Sequence, residues 1–386
     1  MAKLSCLLVL LISMLISSGS FASIININEH TPTPLSLTPW LMVTHPHSES
    51  QLADIEALPK AQWHKFTSKD IQRLSLHNFW LSVNLSSNNE SLSRILALDN
   101  PLLDKVTIYH LVDNQLVNTT YMGDTLPYKQ RPLLSNIFLY PFKINTNEQH
   151  TFYIHIETEG NAAVPLNLWS ANDLAQIAES TAVEHGFQLG VLAAIGIFSL
   201  FIALASGSFS YSYYSGYVLS MTLLVATING FAFRFLWPNW PTLQQLMVPV
   251  LLPLVMAFAL MFTEKILQLK YYNRRMLLMC RYSAVYILLI CLLVPFLRYG
   301  TVLYIEIISV VVLSIIMMIL AIIQAARGQK LAKLYTVGWV SMLTGACLSS
   351  LLYLGVIELN INIKQEIVYR LAADAANTID KNPEIF

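Results

Sequence analysis

Residues 186–206 read GFQLGVLAAIGIFSLFIALAS, and at this stretch the chain changes from mixed polar to apolar sequence. The stretch has no Asp, Glu, Lys or Arg. At about 1.5 Å per residue, a helix of this length crosses a hydrocarbon layer of about 30 Å. Similar apolar segments recur downstream, and the predicted spans are 187–206, 213–236, 246–267, 279–297, 302–324 and 334–357. Region 185–357 is therefore predicted to be an α-helical polytopic membrane bundle.

The composition agrees with a membrane protein and excludes several soluble classes. Hydrophobic residues make up 55% of the 386-residue chain and charged residues 12%, about half the charged fraction of an ordinary soluble domain. Lys and Arg together number 23, as do Asp and Glu, so the chain lacks the basic surplus that a nucleic-acid-binding protein needs. No phosphate-binding loop, dinucleotide-binding glycine motif, hydrolase nucleophile or zinc motif occurs. We expect a protein that is not an enzyme, has no cofactor and does not bind nucleic acid.

Basic residues between the apolar segments predict the orientation of the bundle. Cytoplasmic loops of membrane proteins carry an excess of Lys and Arg. The third and fifth connections are rich in these residues, whereas the second and fourth hold one each. The basic residues are Lys265, Lys270, Arg274, Arg275 and Arg281 in or beside the third connection, and Arg327, Lys330 and Lys333 in the fifth. The third and fifth connections are therefore predicted to be cytoplasmic, with residue 186 on the outer side.

Upstream of the bundle, alternating apolar and polar residues predict β-strands. Residues 79–85 read FWLSVNL, with Phe, Leu, Val and Leu at every second position, and 106–109, 152–157 and 164–168 show similar alternation. A period of two places one side of a strand on a core and the other in water. Turn-like clusters separate these segments, with no amphipathic helix between them, which is typical of an antiparallel sandwich. Residues 23–184 are thus predicted to be an all-β sandwich.

The two ends of the chain have patterns of their own. Residues 1–22 carry Lys3, an apolar run and small residues before a plausible cut, the order of a secretory signal peptide. We therefore expect the sandwich to be exported. Residues 358–386 form a polar tail with apolar residues at every fourth position, which predicts an amphipathic helix at most. With six spans this tail returns to the outer side.

Several side chains are candidates for binding. Aromatic residues of the exported domain indicate a ligand-stacking face, although a packing role in the sandwich is the alternative for each of them. The stretch from Gly123 to Pro132 adds a turn with opposite charges, which also fits an internal ion pair. The predicted ligand-binding residues are Trp80, Tyr109, Tyr121, Asp124 and Arg131. The predicted contacts for a cytoplasmic partner are Lys270, Arg274, Arg275, Arg327, Lys330 and Lys333.

Two other groups of residues are interpreted as structural. His45-Pro46-His47, with Glu49 nearby, offers metal-ligand types, but their spacing identifies no further ligand, so we interpret them as a solvated loop and predict no metal site. Glu306 and Arg281 lie near predicted helix ends, where long charged side chains reach the membrane interface. A proton relay would need ionisable residues in the middle of a span. We therefore do not expect an ion or proton transporter.

The order of the parts and several short motifs resemble a known family. The resemblance is based on residues 79–83 (FWLSV), 100–109 (NPLLDKVTIY), Gly123-Asp124, Arg131-Pro132, 165–169 (PLNLW), Asn229-Gly230 and 236–238 (LWP). They resemble the bacterial 7TM-DISM receptors, seven-transmembrane receptors with diverse intracellular signalling modules, and the sandwich resembles their second extracellular domain type, DISMED2. The resemblance implies a jelly-roll-like sandwich in the periplasm and a multi-pass inner-membrane sensor of small ligands.

The resemblance also implies a seventh span after Ile357 and a cytoplasmic effector, whereas residues 358–386 are polar. We therefore expect a non-enzymatic receptor in the lipid bilayer. Its sandwich would bind a small, carbohydrate-like ligand, and its bundle would relay the signal to a separate cytoplasmic signalling protein. Two alternatives stay open at this point. One is an envelope accessory or assembly subunit that binds a protein partner, and the other is a truncated receptor remnant that does not signal.

Overall fold

A computed structural model describes residues 24–46, 50–67, 70, 77–87, 91–160 and 163–353, with 342–353 as helical backbone alone. The predicted signal peptide, at 1–22, and the predicted tail, at 358–386, lie outside these residues. The chain falls into two compact units, Met1–Met317 and Met318–Phe386. The first unit holds the β-strands and most of the helices.

Strands in the described part of the chain form two sheets. The larger has the order β4-β3-β5-β10-β7-β8, with β1 parallel to β5, and the smaller has the order β2-β11-β6-β9. All other pairings are antiparallel. The strands are β1 (Ile25–Asn26), β2 (Leu35–Ser36), β3 (Met42–Thr44), β4 (His64–Lys65), β5 (His77–Ser86), β6 (Leu92–Leu98), β7 (Lys105–Val112), β8 (Gln115–Met122), β9 (Phe138–Ile144), β10 (Gln149–Thr158) and β11 (Leu166–Trp169).

The core lies between the two sheets and confirms the predicted sandwich. Phe79, Leu81 and Val83 of β5 belong to one apolar cluster with Phe152 of β10 and Phe138 of the small sheet. Apolar residues at every second position share one face of a strand, so a single core collects them from both sheets. The alternation read from the sequence therefore identified the inner face of the central strands.

Helices dominate after β11. Helix α1 (Leu52–Glu56) is a short element between β3 and β4. The later helices in the described residues are α2 (Ala171–Ser206), α3 (Phe209–Ile228), α4 (Phe231–Phe235), α5 (Pro241–Ile266), α6 (Leu269–Tyr272), α7 (Arg274–Leu293), α8 (Tyr299–Ala326) and α9 (Lys330–Tyr353). Helix α8 contains the boundary between the two units.

Two element boundaries differ from the predicted ones. Helix α2 begins at Ala171, so the predicted end of the sandwich at residue 184 lies inside a helix. The Ser170 hydroxyl accepts a hydrogen bond from the backbone N–H of Asp173, which is an N-cap arrangement. The second predicted span, 213–236, is also interrupted, because α3 ends at Ile228 and Gly230 adopts a left-handed conformation before α4.

The helical region contains several elements able to cross a membrane. Among the described residues, four helical segments are long and apolar enough by length and composition: Ala171–Ser206, Pro241–Ile266, Arg274–Phe296 and Tyr299–Ala326. Helix α3 has 20 residues, but its first half is rich in Ser and Tyr. The count of six spans stays a prediction.

Candidate functional site

The sandwich meets the helices of the first unit through loops at one end of its sheets. The backbone N–H of Tyr128, between β8 and β9, donates to the Pro238 carbonyl oxygen at 3.1 Å. The Tyr128 ring packs edge-on against Phe233 with ring centroids 5.9 Å apart, and Trp237 belongs to the same cluster. The loop after β8 is therefore packed on the connection between α3 and α5.

Two more loops complete this junction. The Asn136 side-chain amide donates to the Asn229 carbonyl oxygen at 3.1 Å, next to Gly230. The backbone N–H of Gly300, at the start of α8, donates to a Glu159 carboxylate oxygen at 3.3 Å. The second and fourth connections of the helical region thus lie on the side of the sandwich. Helix α5, with 26 residues, places the third connection about 39 Å away at its other end.

A cavity of about 430 Å³ lies at this junction. Loops of the sandwich form one wall, and the start of α5, the fourth connection and the start of α8 form the other. The lining residues are Asp104, Lys105, Thr125, Glu157, Thr158, Glu159, Thr242, Gln245, Leu246, Pro249, Val294, Pro295, Leu297, Tyr299 and Val302. The volume is within the usual range for small-molecule sites. A molecule in this cavity would therefore contact both parts of the chain.

The polar lining of the cavity is mainly acidic. Asp104, Glu157 and Glu159 contribute carboxyl groups, and the ammonium group of Lys105 pairs with Glu157 at 3.1 Å. The backbone N–H of Glu159 donates to Asp104 at 2.6 Å. Burial raises the pKa of Asp104, although hydrogen bonds from the Glu159 N–H and from side chains partly oppose that shift. The cavity thus presents more hydrogen-bond acceptors than donors.

Asp124 and Arg131, two of the predicted ligand-binding residues, are buried beside this junction. Burial and the neighbouring Asp104 hold the pKa of Asp124 well above its usual range, with Arg131 opposing that shift. The Arg131 guanidinium donates to the carbonyl oxygens of Ser135 and Asn136. Its carbon lies 4.4 Å from the Phe138 ring centroid, and burial lowers the pKa of Arg131 to about 10. Arg131 therefore stabilises the loop that docks on the helices, and neither Arg131 nor Asp124 is among the residues that line the cavity.

The three predicted aromatic residues lie on the outer face of the large sheet. Trp80 is 1% exposed, because it stacks on His155 and Tyr109 with ring centroids 4.4 and 5.4 Å apart. Tyr109 is half-buried, and Tyr121, on edge strand β8, is 59% exposed. A ligand cannot stack on Trp80 in this arrangement. The five predicted residues therefore occupy two separate regions, the outer face of the large sheet and the loop beside the junction, and their role in ligand binding stays a prediction.

Sequence reasoning missed the residues that line the cavity. Asp104, Gln245 and Tyr299 are separated by more than 50 residues each, so no local spacing connects them. Their only sequence signal was the run NPLLDKVTIY at 100–109, which contains Asp104 and Lys105. The fold brings them together because the loops between strands and the loops between helices meet at the same end of the sandwich.

The predicted contacts for a cytoplasmic partner are exposed side chains. Lys270, Arg274 and Arg275 are exposed in the third connection, at the end of α5 that lies away from the sandwich. In the second unit, Arg327, Lys330 and Lys333 are exposed around the fifth connection. Their exposure leaves them available for a partner, and the partner itself stays a prediction.

Of the two charged residues expected at the membrane interface, Arg281 has a half-exposed side chain, whereas Glu306 does not. Arg281 of α7 makes two hydrogen bonds of 2.9 Å with the carboxylate of Glu264 on α5, which is 2% exposed. Glu306 of α8 is fully buried, and neither carboxylate oxygen has a hydrogen-bond partner among the described residues. The expectation that Glu306 reaches the interface is therefore wrong, because the packing of the helices encloses its side chain.

Comparison with known families gives two matches that cover successive parts of the chain. The model described as 7TMR-DISM extracellular 2 matches residues 40–170, and the model described as 7TM diverse intracellular signalling matches residues 182–373. The first match ends where β11 gives way to α2, in agreement with the observed boundary of the sandwich. No match is found among curated proteins.

Proposed function

Because the chain belongs to the 7TMR-DISM family of membrane receptors, we propose that it senses a small ligand at the junction between its extracellular sandwich and its helices. The family membership and the apolar helices make it a multi-pass membrane protein with an extracellular N-terminal domain. Beyond this family membership, we propose the class of ligand, the place where it binds and the helix that transmits the conformational change to the other end of the bundle.

The cavity of about 430 Å³ is the observation that carries this proposal. A ligand shifts an equilibrium between two conformations only if it binds them with different affinities. A ligand held between two parts meets this condition, because any movement of the sandwich on the helices changes its contacts. The buried outer face around Trp80 offers no such coupling, since it lies within the sandwich alone.

The lining indicates the chemistry of the ligand. Ionised carboxylates accept hydrogen bonds and cannot donate them, so Asp104, Glu157 and Glu159 favour a ligand rich in donors. Sugar hydroxyl groups supply such donors, and Thr158 and Gln245 can complete their hydrogen bonding. We therefore propose a small polyol of the carbohydrate class as the ligand. The same carboxylates also bind ammonium groups, so a small amine is the other ligand that the test below distinguishes.

Helix α5 is the proposed route for the signal. Thr242, Gln245 and Pro249 line the cavity at its start, and Pro249 and Pro253 lie inside the helix. A proline inside a helix removes one backbone hydrogen bond and introduces a kink, which makes the helix easier to bend. A tilt imposed at the cavity would reach the third connection, where Lys270 and Arg274 are exposed for a cytoplasmic signalling protein.

The test uses the full-length protein in lipid nanodiscs and a panel of sugars and small amines. Binding is measured by calorimetry for the wild type and for Asp104→Asn and Glu159→Gln, two variants of the cavity. We expect a compound that binds the wild type to lose at least about tenfold in affinity in each variant, because each removes a charged acceptor. Glu179→Gln is the matched control, since Glu179 is an exposed carboxylate of α2 outside the cavity.

A second measurement tests the relay. Hydrogen exchange of residues 267–275 should change when the compound binds. If binding occurs and both cavity variants retain full affinity, the ligand site lies elsewhere. If binding is lost in the variants as expected but exchange of 267–275 is unaltered, the compound is held without a relay through α5.

A protein-binding role is a second candidate, supported by strand β8. This strand is at the edge of the large sheet, and Leu116, Val117 and Tyr121 on it are 51%, 62% and 59% exposed. An exposed edge strand with apolar side chains can pair with a strand of another chain. Cross-linking from Val117→Cys in membranes would favour this role if it captured one protein reproducibly, and the cavity variants would not affect it.

A further inference from the structure

A cluster of two histidines and one aspartate lies on the sandwich at the β3–β4 edge of the large sheet. Val43 of β3 pairs with His64 of β4, so His45 follows β3 beside the start of β4. One carboxylate oxygen of Asp70, Oδ1, lies 3.0 Å from His64 Nε2 and 3.7 Å from His45 Nε2. The three ligand-type atoms are all within 4.8 Å of one another.

These distances fit the coordination sphere of a divalent transition metal. Zinc is bound at about 2.0–2.2 Å by imidazole nitrogen and carboxylate oxygen, usually with tetrahedral geometry. Tetrahedral ligands at that radius are about 3.3 Å apart, a value between the two measured separations. Two imidazoles with one carboxylate are also a common ligand set for first-row transition metals. A cation at the centre of the cluster would therefore need only small movements of the three side chains.

The surroundings hold the carboxylate in position. The second oxygen of Asp70, Oδ2, accepts hydrogen bonds from the backbone N–H and the hydroxyl of Thr67, both at 2.8 Å. This leaves Oδ1 facing the two histidines. Hydrogen bonds of this kind orient metal ligands in known sites. On the other side, the His45 ring lies 6.0 Å from the Phe79 ring, and the side chains of His45 and His64 are 39% and 51% exposed.

We propose that His45, His64 and Asp70 bind a divalent transition-metal cation such as Zn²⁺, with solvent completing the coordination. The exposed histidine side chains give the cation access and leave room for that solvent. The three ligands come from the end of β3, the start of β4 and the chain beyond Thr67. The metal would therefore join segments that fold over the edge of the sheet, in a region separate from the cavity at the junction. His47 and Glu49, which the sequence placed near His45, lie outside the described residues.

The test titrates Zn²⁺ and Co²⁺ into the full-length protein, purified with a tag that contains no histidine and treated with a chelator. We expect one Zn²⁺ per chain by calorimetry, and a visible Co²⁺ absorption of the intensity that four- or five-coordinate sites give. His64→Ala and Asp70→Asn should each weaken Zn²⁺ binding at least about tenfold. His30→Ala is the control, because His30 is an exposed histidine outside the cluster.

Two milder variants distinguish the loss of a metal ligand from loss of binding caused by misfolding. His45→Gln and Thr67→Val keep the chain closest to the wild type, and we expect Thr67→Val to lose less affinity than His45→Gln. Zinc should also reduce hydrogen exchange of residues 64–67 in the wild type. The proposal is overturned if the wild type binds no Zn²⁺, or if His45→Gln, His64→Ala and Asp70→Asn all bind it as tightly as the wild type. In either case the cluster is held by the hydrogen bonds of Asp70 with His64 and Thr67 and binds no metal.

Discussion

His110 lies inside the sandwich, where its imidazole joins two other polar side chains. One ring nitrogen, Nδ1, is 3.0 Å from the Tyr140 hydroxyl, and Nε2 is 2.8 Å from His150 Nδ1. The ring also stacks on Phe152 with centroids 4.5 Å apart. Burial, with a smaller contribution from His150, lowers the pKa of His110 from 6.5 to about 4.

This lowered pKa predicts that the sandwich loses stability in mild acid. Above pH 6.5 His110 is neutral in both the folded and the unfolded chain, so its contribution to stability is fully present. Between pH 6.5 and 4 the unfolded chain binds a proton that the folded chain does not, so the free energy of unfolding falls, by on the order of 3 kcal/mol across the window. His110→Gln, which does not titrate, should lose less. Hydrogen exchange of β7 and β10 at pH 7 and pH 4.5 measures the difference, and equal losses in both proteins would contradict this assignment.

Single side chains show where reading of the sequence reaches its limit. Period-two alternation placed Trp80 on the outer face of β5, and it lies there, but its neighbours on β10 and β7 bury it. Those neighbours, His155 and Tyr109, come from strands more than 25 residues away in the chain. Exposure of an outward side chain depends on what the next strands place beside it, and a local pattern contains no such information.

At the scale of elements, the turn between α3 and α4 fixes how the sandwich meets the helices. Gly230 has a φ of +74°, and a Cβ there would lie 2.6 Å from the Asn136 carbonyl oxygen and 2.9 Å from Pro101. Gly207, between α2 and α3, has a similar φ of +64° but nothing within 4 Å of a Cβ. The two glycines therefore share the conformational requirement and differ only in the contact with the sandwich.

This pair provides a matched test of the junction. Gly207→Ala should cost about 1 kcal/mol, the penalty for an L-residue with left-handed backbone. Gly230→Ala has the same conformational penalty, and its added Cβ also displaces the Asn136 carbonyl of the docked loop. We therefore expect a larger loss of stability than for Gly207→Ala. Its specific effect should be faster hydrogen exchange in residues 131–137 and 229–240. If Gly207→Ala accelerates exchange in those segments equally, the contact at Gly230 does not hold the junction.

Elements were predictable wherever a local period existed. The alternation at 79–85 and 152–157 identified β5 and β10, and the apolar runs located the long helices. The start of α2 was missed because residues 171–185 are not a continuous apolar run. A hydropathy pattern detects the part of a helix that is apolar enough to cross a membrane, and not the polar turns that precede it. The signal that could have found it was the Ser170–Asp173 pair, a helix-capping spacing.

At the scale of the whole molecule, the arrangement explains why the cavity could not be predicted. Its walls come from the loop before β7, the loop after β10 and the starts of α5 and α8. Each part was visible in the sequence as a turn or a helix end. Their meeting depends on which end of the sandwich faces the helices, a property set by three-dimensional docking. The docking in turn agrees with the distribution of basic residues, because the poorly basic second and fourth connections are the ones that contact the sandwich.

The orientation leads to a prediction for the third connection. Tyr271 is 81% exposed there, beside Lys270, and the positive-inside rule places it in the cytoplasm. In a cysteine-free background, Tyr271→Cys should react with a membrane-impermeant maleimide only after spheroplasts are opened. Val117→Cys on β8 is the control and should react in intact spheroplasts. The same experiment extends to the end of the chain, where reporters active in the periplasm or the cytoplasm are fused after Phe386.

Six spans require the periplasmic reporter to be active, because an even number of crossings returns the chain to the side of the sandwich. In that case the first, third and fifth connections are the cytoplasmic loops of the six-span arrangement, and we expect a signalling partner to bind the basic third and fifth. An active cytoplasmic reporter would mean an odd number of spans and would contradict the six-span prediction. The polar residues 358–386 would then lie on the cytoplasmic side and would be a further surface for a signalling partner, beside the basic connections.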